Sequence, residues 1–159
     1  MLCLLVSIAA NAQTDGLLQN PLPATKDEFT ASEPKVIGTA NFLESTPIND
    51  AWRVQAALLM GWLTNSPEVT IEVDAKTMTF AKKNPELLLV FMGGWTRYVL
   101  QNGYSKDKVQ GNLAGIRSAI KAYKAGNGLK KDKEVDKLIK LDDSGGLEAW
   151  VTEQLGQKK

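Results

Sequence analysis

The sequence contains no histidine and a single cysteine, Cys3. Without histidine there is no Ser-His-Asp or Cys-His nucleophile system and no imidazole general base. His-ligated zinc and haem sites are excluded with them. One cysteine makes no intrachain disulfide, no Cys-x-x-Cys redox pair and no iron–sulfur site. Excess charge is also lacking: 19 Lys plus Arg stand against 18 Asp plus Glu, a net of +1. That balance gives no global pull toward nucleic acid or an anionic membrane. Carboxylate, lysine or tyrosine chemistry remains, or function by contact alone.

The 159 residues suit one domain, and 43% hydrophobic with 23% charged residues is an ordinary globular composition. Leu2 to Ala10 form a short apolar run ahead of Ala10-Asn11-Ala12. A run this short does not span a bilayer, whereas small residues at its end suit signal peptidase. The expectation is an export signal over residues 1-12, although no Lys or Arg precedes the run. The Ala10-Asn11-Ala12-Gln13 ending resembles export signals common in Bacteroidetes envelope proteins. It implies a bacterial periplasmic or extracellular destination. Cys3 lacks the preceding lipobox, so no lipid anchor is expected there.

Residues 13-45 read as an irregular leader, because Pro21, Pro23 and Pro34 interrupt scattered apolar residues. Residues 46-159 read as a single helical domain. A first helix is expected from Thr46-Pro47, with Ala51, Val54, Leu58 and Trp62 as its inward stripe. Val69 to Val73 alternates as a strand does, so a short extended segment is expected near residues 69-73. A second helix is expected from Asn84-Pro85 to Asn102-Gly103, apolar on every side and interrupted by Gly93-Gly94. Interior glycines cost about 1 kcal/mol each against alanine, so close helix approach, a kink or a ligand must offset them. Ser105 is the expected cap of a third helix carrying Val109, Leu113, Ile116, Ile120 and Tyr123 inward. Shorter helices follow over Asp132 to Leu141 and around Leu147, Trp150, Val151 and Leu155. The fold class is therefore all-α: about five helices in a small bundle or orthogonal array. Trp62 and Trp95 end similar Gly-Trp pairs 33 residues apart, but no third copy supports a repeat.

Chemical motifs are few. Glu72 and Asp74 would project to one side of an extended segment, about 7 Å apart, a spacing that a two-carboxylate glycosidase could use. Ser105-Lys106-Asp107-Lys108 resembles the Ser-x-x-Lys of penicillin-recognising enzymes over those four residues, but the family's other motifs are missing. No phosphate-binding glycine loop is present. No cofactor or metal-ligand set is predicted.

Charge is polarised along the chain. Residues 13-75 hold 3 basic and 9 acidic side chains; residues 105-140 hold 10 basic and 4 acidic. Either the two halves compensate internally or a basic face awaits an anionic partner. The candidate partner-binding residues are Arg97, Tyr104, Lys108, Lys130 and Lys131. Too few aromatics accompany the lysines for nucleic-acid binding. The functional expectation is an exported, non-catalytic binding or interaction module acting on a protein or an anionic envelope component. The alternative is a small carboxylate-dependent hydrolase of cell-wall glycan.

Overall fold

A computed structural model describes residues 15–156 of the chain. The expected export signal, residues 1-12, and Cys3 lie outside them. The described residues form six α-helices and one 3₁₀ turn, with no strand among them. The helices are α1 (Lys26–Ser45), α2 (Asp50–Asn65), α3 (Glu86–Gln101), α4 (Lys108–Lys124), α5 (Lys133–Asp143) and α6 (Leu147–Gln154); the 3₁₀ turn is Thr79–Lys82. The array is all-helical, with one helix more than expected.

The extra helix is α1, which corrects the irregular leader. Thr25 Oγ1 accepts from Glu28 N at 3.3 Å, and Glu28 Oε2 accepts in return from Thr25 N at 3.0 Å and Ala24 N at 2.8 Å. This capping box starts the helix. Phe29, Val36, Ala40 and Leu43 then recur at helical spacing and are buried. Pro34 sits within α1 on its exposed side. The stretch before α1 is packed as well. Leu17 and Leu18 are buried, Leu18 N donates to Thr39 Oγ1 at 2.9 Å, and Gln55 Nε2 donates to Leu18 O at 3.3 Å.

Two further boundaries move. Asn49, not Thr46, caps α2, its Oδ1 accepting from Trp52 N at 2.9 Å, while Thr46 closes α1. The inward face of α2 is rotated from the expected stripe. Val54 is 56% exposed, whereas Trp52, Ala56, Leu59 and Trp62 are buried. The tryptophans set that rotation by facing α1. Trp52 Nε1 donates to Leu43 O at 3.0 Å and Trp62 Nε1 to Ser32 Oγ at 2.8 Å. Asp107, not Ser105, caps α4, accepting from Val109 N at 2.9 Å and Gln110 N at 3.0 Å.

The segment near residues 69-73 is not a strand; it has no backbone partner and runs irregularly between α2 and the 3₁₀ turn. It is fixed by side chains instead. Val69 and Met78 are buried, and Thr77 Oγ1 donates to Asn112 Oδ1 of α4 at 2.9 Å. Asn84 does not cap α3. Its amide clasps the chain before α5, donating to Lys130 O at 2.9 Å and accepting from Lys130 N at 2.8 Å.

The core is α3, held between α1 and α4. Helix α3 runs unbroken through Gly93-Gly94, so close approach rather than a kink accounts for the pair. A Cβ on Gly93 would meet Ala40 of α1 at 3.3 Å; one on Gly94 would overlap Ser118 of α4. In return α4 presents Gly111 to the Trp95 indole and Gly115 to the Phe91 ring. Each large side chain thus faces a position with no side chain, which lets the two helices approach closely.

Gly115→Ala gains helix propensity but drives a Cβ to 2.6 Å from the Phe91 ring and 2.8 Å from its carbonyl oxygen. Overpacking should win, with a net loss of about 1–3 kcal/mol by urea unfolding. Gly61→Ala, whose Cβ meets only the tip of Leu22, should change stability by less than about 1 kcal/mol.

Candidate functional site

Three places combine charge with fixed geometry. The first is a junction of α1, α3 and α4 around Glu44. Its side chain is only 3% exposed, and two cations reach it: Arg97 Nη2 to Oε2 at 2.8 Å and Lys121 Nζ to Oε1 at 2.6 Å. Arg97 also donates to Asn41 Oδ1, and to Ser118 Oγ at 3.0 Å. Burial pushes the Glu44 carboxyl up, but hydrogen bonds from Lys121, Ser118 and Arg97 together outweigh it. They hold the pKa below its ordinary value of 4.5. Arg97, a candidate for partner binding, is therefore committed to ordering three helices. Glu44 had gone unremarked in the sequence; it follows Leu43 at the end of a buried stripe, and a carboxylate there needs a cation.

The second place is a cleft of about 220 Å3 lined by Glu72, Val73, Asp74, Trp95, Lys108, Asn112 and Leu155. The carboxylates expected to act together do share this cleft. Glu72 Oε2, however, pairs with Lys108 Nζ at 2.6 Å, and Asp74 Oδ1 accepts from Lys76 N at 2.8 Å. Lys108 is thus bound within the molecule. Asn112 is fully buried at the base of the cleft, its Nδ2 donating to Lys108 O at 2.8 Å.

The third place is a lysine face. The clasp of Asn84 on Lys130 joins two stretches distant in sequence, and the 3₁₀ turn packs on α5. Lys82 and Lys83 are thereby brought beside Lys130, Lys131 and Lys133. All five are exposed, and among the described residues none forms an ion pair. Asp132 lies among them but is buried, its Oδ1 capping α5 through Glu134 N at 3.0 Å. Lys82 and Lys83 had carried no sequence signal, because only the clasp brings them near the others.

The remaining candidate, Tyr104, lies elsewhere. Its hydroxyl donates to Glu33 Oε1 of α1 at 2.5 Å. That hydrogen bond, with burial and the Glu33 charge, raises the Tyr104 pKa, since ionisation would set two anions together. The five candidates thus fall in four places: Arg97 at the Glu44 junction, Tyr104 in the α3–α4 loop against Glu33, Lys108 at the cleft, Lys130 and Lys131 on the lysine face.

The polarised charge is in part resolved internally. Glu44 with Lys121, Glu72 with Lys108, and Glu68 O with Lys106 Nζ at 3.0 Å all join the acidic first half to α4 or its lead-in. Comparisons with protein-family models, curated proteins and solved structures find no match to the chain. Its class is defined by the fold alone, an all-α helical array. No helix among the described residues is long and apolar enough to cross a membrane.

The Glu44 junction makes a pH prediction. Because the folded pKa is lowered, the unfolded chain binds the proton more readily. Stability from Glu44 is full above 4.5 and is lost as pH falls through the lower folded value. Glu44→Gln should cost about 2–3 kcal/mol at pH 7, somewhat less than a wholly buried pair because Lys121 is exposed. It should also flatten the decline in urea midpoint between pH 5.5 and 3.

Proposed function

We propose that this is an exported, non-catalytic helical interaction module of a bacterial periplasm or cell envelope. It meets an anionic envelope component through the lysine face at Lys82, Lys83, Lys130, Lys131 and Lys133. One observation carries the reading. The α4 cations Lys108, Arg117, Lys121 and Lys124 have carboxylate partners, whereas this cluster has none and is held together by a buried amide clasp. Exposed lysines without partners keep their charge available to a ligand, with a range set by ionic strength. The export part of the proposal rests on residues 1-13 of the sequence.

The competing reading is a glycan hydrolase using Glu72 and Asp74. The cleft supports a place for a saccharide, but the chemistry has less behind it. An acid–base pair needs one carboxyl kept protonated in an apolar setting. Glu72 is 61% exposed and ion-paired with Lys108, and Asp74 is engaged by a turn.

Retention on an anionic polysaccharide matrix checks the proposal. The protein should bind at 50 mM salt and elute well before 500 mM. A variant with Lys82, Lys83, Lys130 and Lys131 all changed to Gln should not be retained. Equal retention at both salts, or undiminished retention of the variant, would contradict the lysine face.

A further inference from the structure

Trp95 is 4% exposed, yet its indole donor is treated differently from those of the other two buried tryptophans. Trp52 Nε1 and Trp62 Nε1 each donate to an acceptor on α1. Trp95 Nε1 has no hydrogen-bond partner among the described residues, nor is it sealed from solvent as Asp132 Oδ2 is. It lies over Gly111, where the absence of a side chain leaves it room, and Trp95 lines the cleft beneath residues 72–74. With no partner in the protein but some access to solvent, this donor is met by water in the free protein and is available to a ligand. A ligand acceptor in the cleft would satisfy it.

The neighbouring groups define that ligand. Asn112 shapes the base of the cleft but is fully buried, its amide engaged by Lys108 O and Thr77 Oγ1. Glu72 Oε1 and Asp74 Oδ2 are the carboxylate oxygens left after the contacts with Lys108 and Lys76. One donor and two strong acceptors therefore belong to residues that line one cleft. Between them stand Val73, 47% exposed, and Leu155, which are apolar. Two carboxylates against one already paired ammonium disfavour an anion. The volume of about 220 Å3 lies below the roughly 300–1,000 Å3 of sites for drug-sized molecules, so one ring fits rather than a chain. A ring that is neutral, donates and accepts along its rim and offers C–H groups on its face is a pyranose.

We infer that the cleft between the 72–74 segment, α4 and α6 binds a single neutral pyranose unit, its rim hydroxyls accepting from Trp95 Nε1 and donating to Glu72 and Asp74. This site is separate from the lysine face and does not depend on it. It requires no bond cleavage.

Indole N–H resonances report it directly, because the chain has four tryptophans and Trp95→Phe assigns one peak. Titration with glucose and with N-acetylglucosamine should move the Trp95 indole peak in a saturable way with at least one of them. The indole peaks of Trp52 and Trp62 should stay in place. Glu72→Gln, on an exposed side chain whose loss leaves the core intact, should weaken the response about tenfold, the loss of one charge-assisted hydrogen bond. Absence of a saturable Trp95 shift with both sugars would overturn the inference. So would a response unchanged in Glu72→Gln, or an equal response to alanine as a zwitterionic control.

Discussion

Everything in this molecule rests on how closely α3 and α4 approach. Phe91 and Trp95 lie where α4 has Gly115 and Gly111, and Gly94 lies where α4 has Ser118. Each pairing places bulk against absence, so the backbones come close and the ring faces are covered. The same seam orders the aromatic core, with Phe91 edge-on to Trp95 at 5.7 Å and tilted against Phe80 at 6.2 Å. A chain whose one cysteine makes no intrachain disulfide depends on packing of this kind. The glycines surrender helix propensity, and the contacts they permit offset that cost.

From the seam outward, charge decides what is fixed and what is free. Helix α4 carries Ser118 into the seam and Lys121 one turn beyond, and Lys121 meets Glu44 on α1 while Arg97 reaches it from α3. One buried carboxylate thereby holds three helices in register. The amino-terminal half brings Glu44 and Glu72 to α4, and the two polarities meet there in part. Five of the lysines without an ion pair are gathered at the Asn84–Lys130 clasp, outside that zone. An interaction surface arises where the clasp gathers lysines that no carboxylate pairs.

Much of the fold was legible, and the failures share a cause. Helices α3 to α6 declared themselves through apolar spacing and through turn glycines, as in Val109, Leu113, Ile116 and Ile120. Helix α1 was hidden by Pro34, although Phe29, Val36 and Leu43 recur at seven-residue steps. A proline on an exposed helix face does not stop a helix whose opposite face is buried. Missing α1 also misdirected α2, since the inward face of α2 depends on what it packs against. Val54 looked as apolar as Trp52, but only the tryptophans had acceptors on α1. The strand-like pattern at Val69 to Val73 came from half-burial alone, without a partner strand. Of the candidate site, the carboxylates of the cleft were legible by their spacing. Trp95 and Asn112 were not, because α3 and α4 bring them there. Arg97 looked like a free charge because Glu44 lies 53 residues away.

The molecule is a helical seam with a lysine face at one place and a small polar cleft at another. Native-state hydrogen exchange tests its central claim most directly. Amides of α3 from Val90 to Val99 and of α4 from Leu113 to Ala122 should share the highest protection and exchange only through global unfolding. The 66–78 segment should open far more readily. If α3 and α4 opened separately, with clearly different free energies, the seam would not be the structure's foundation.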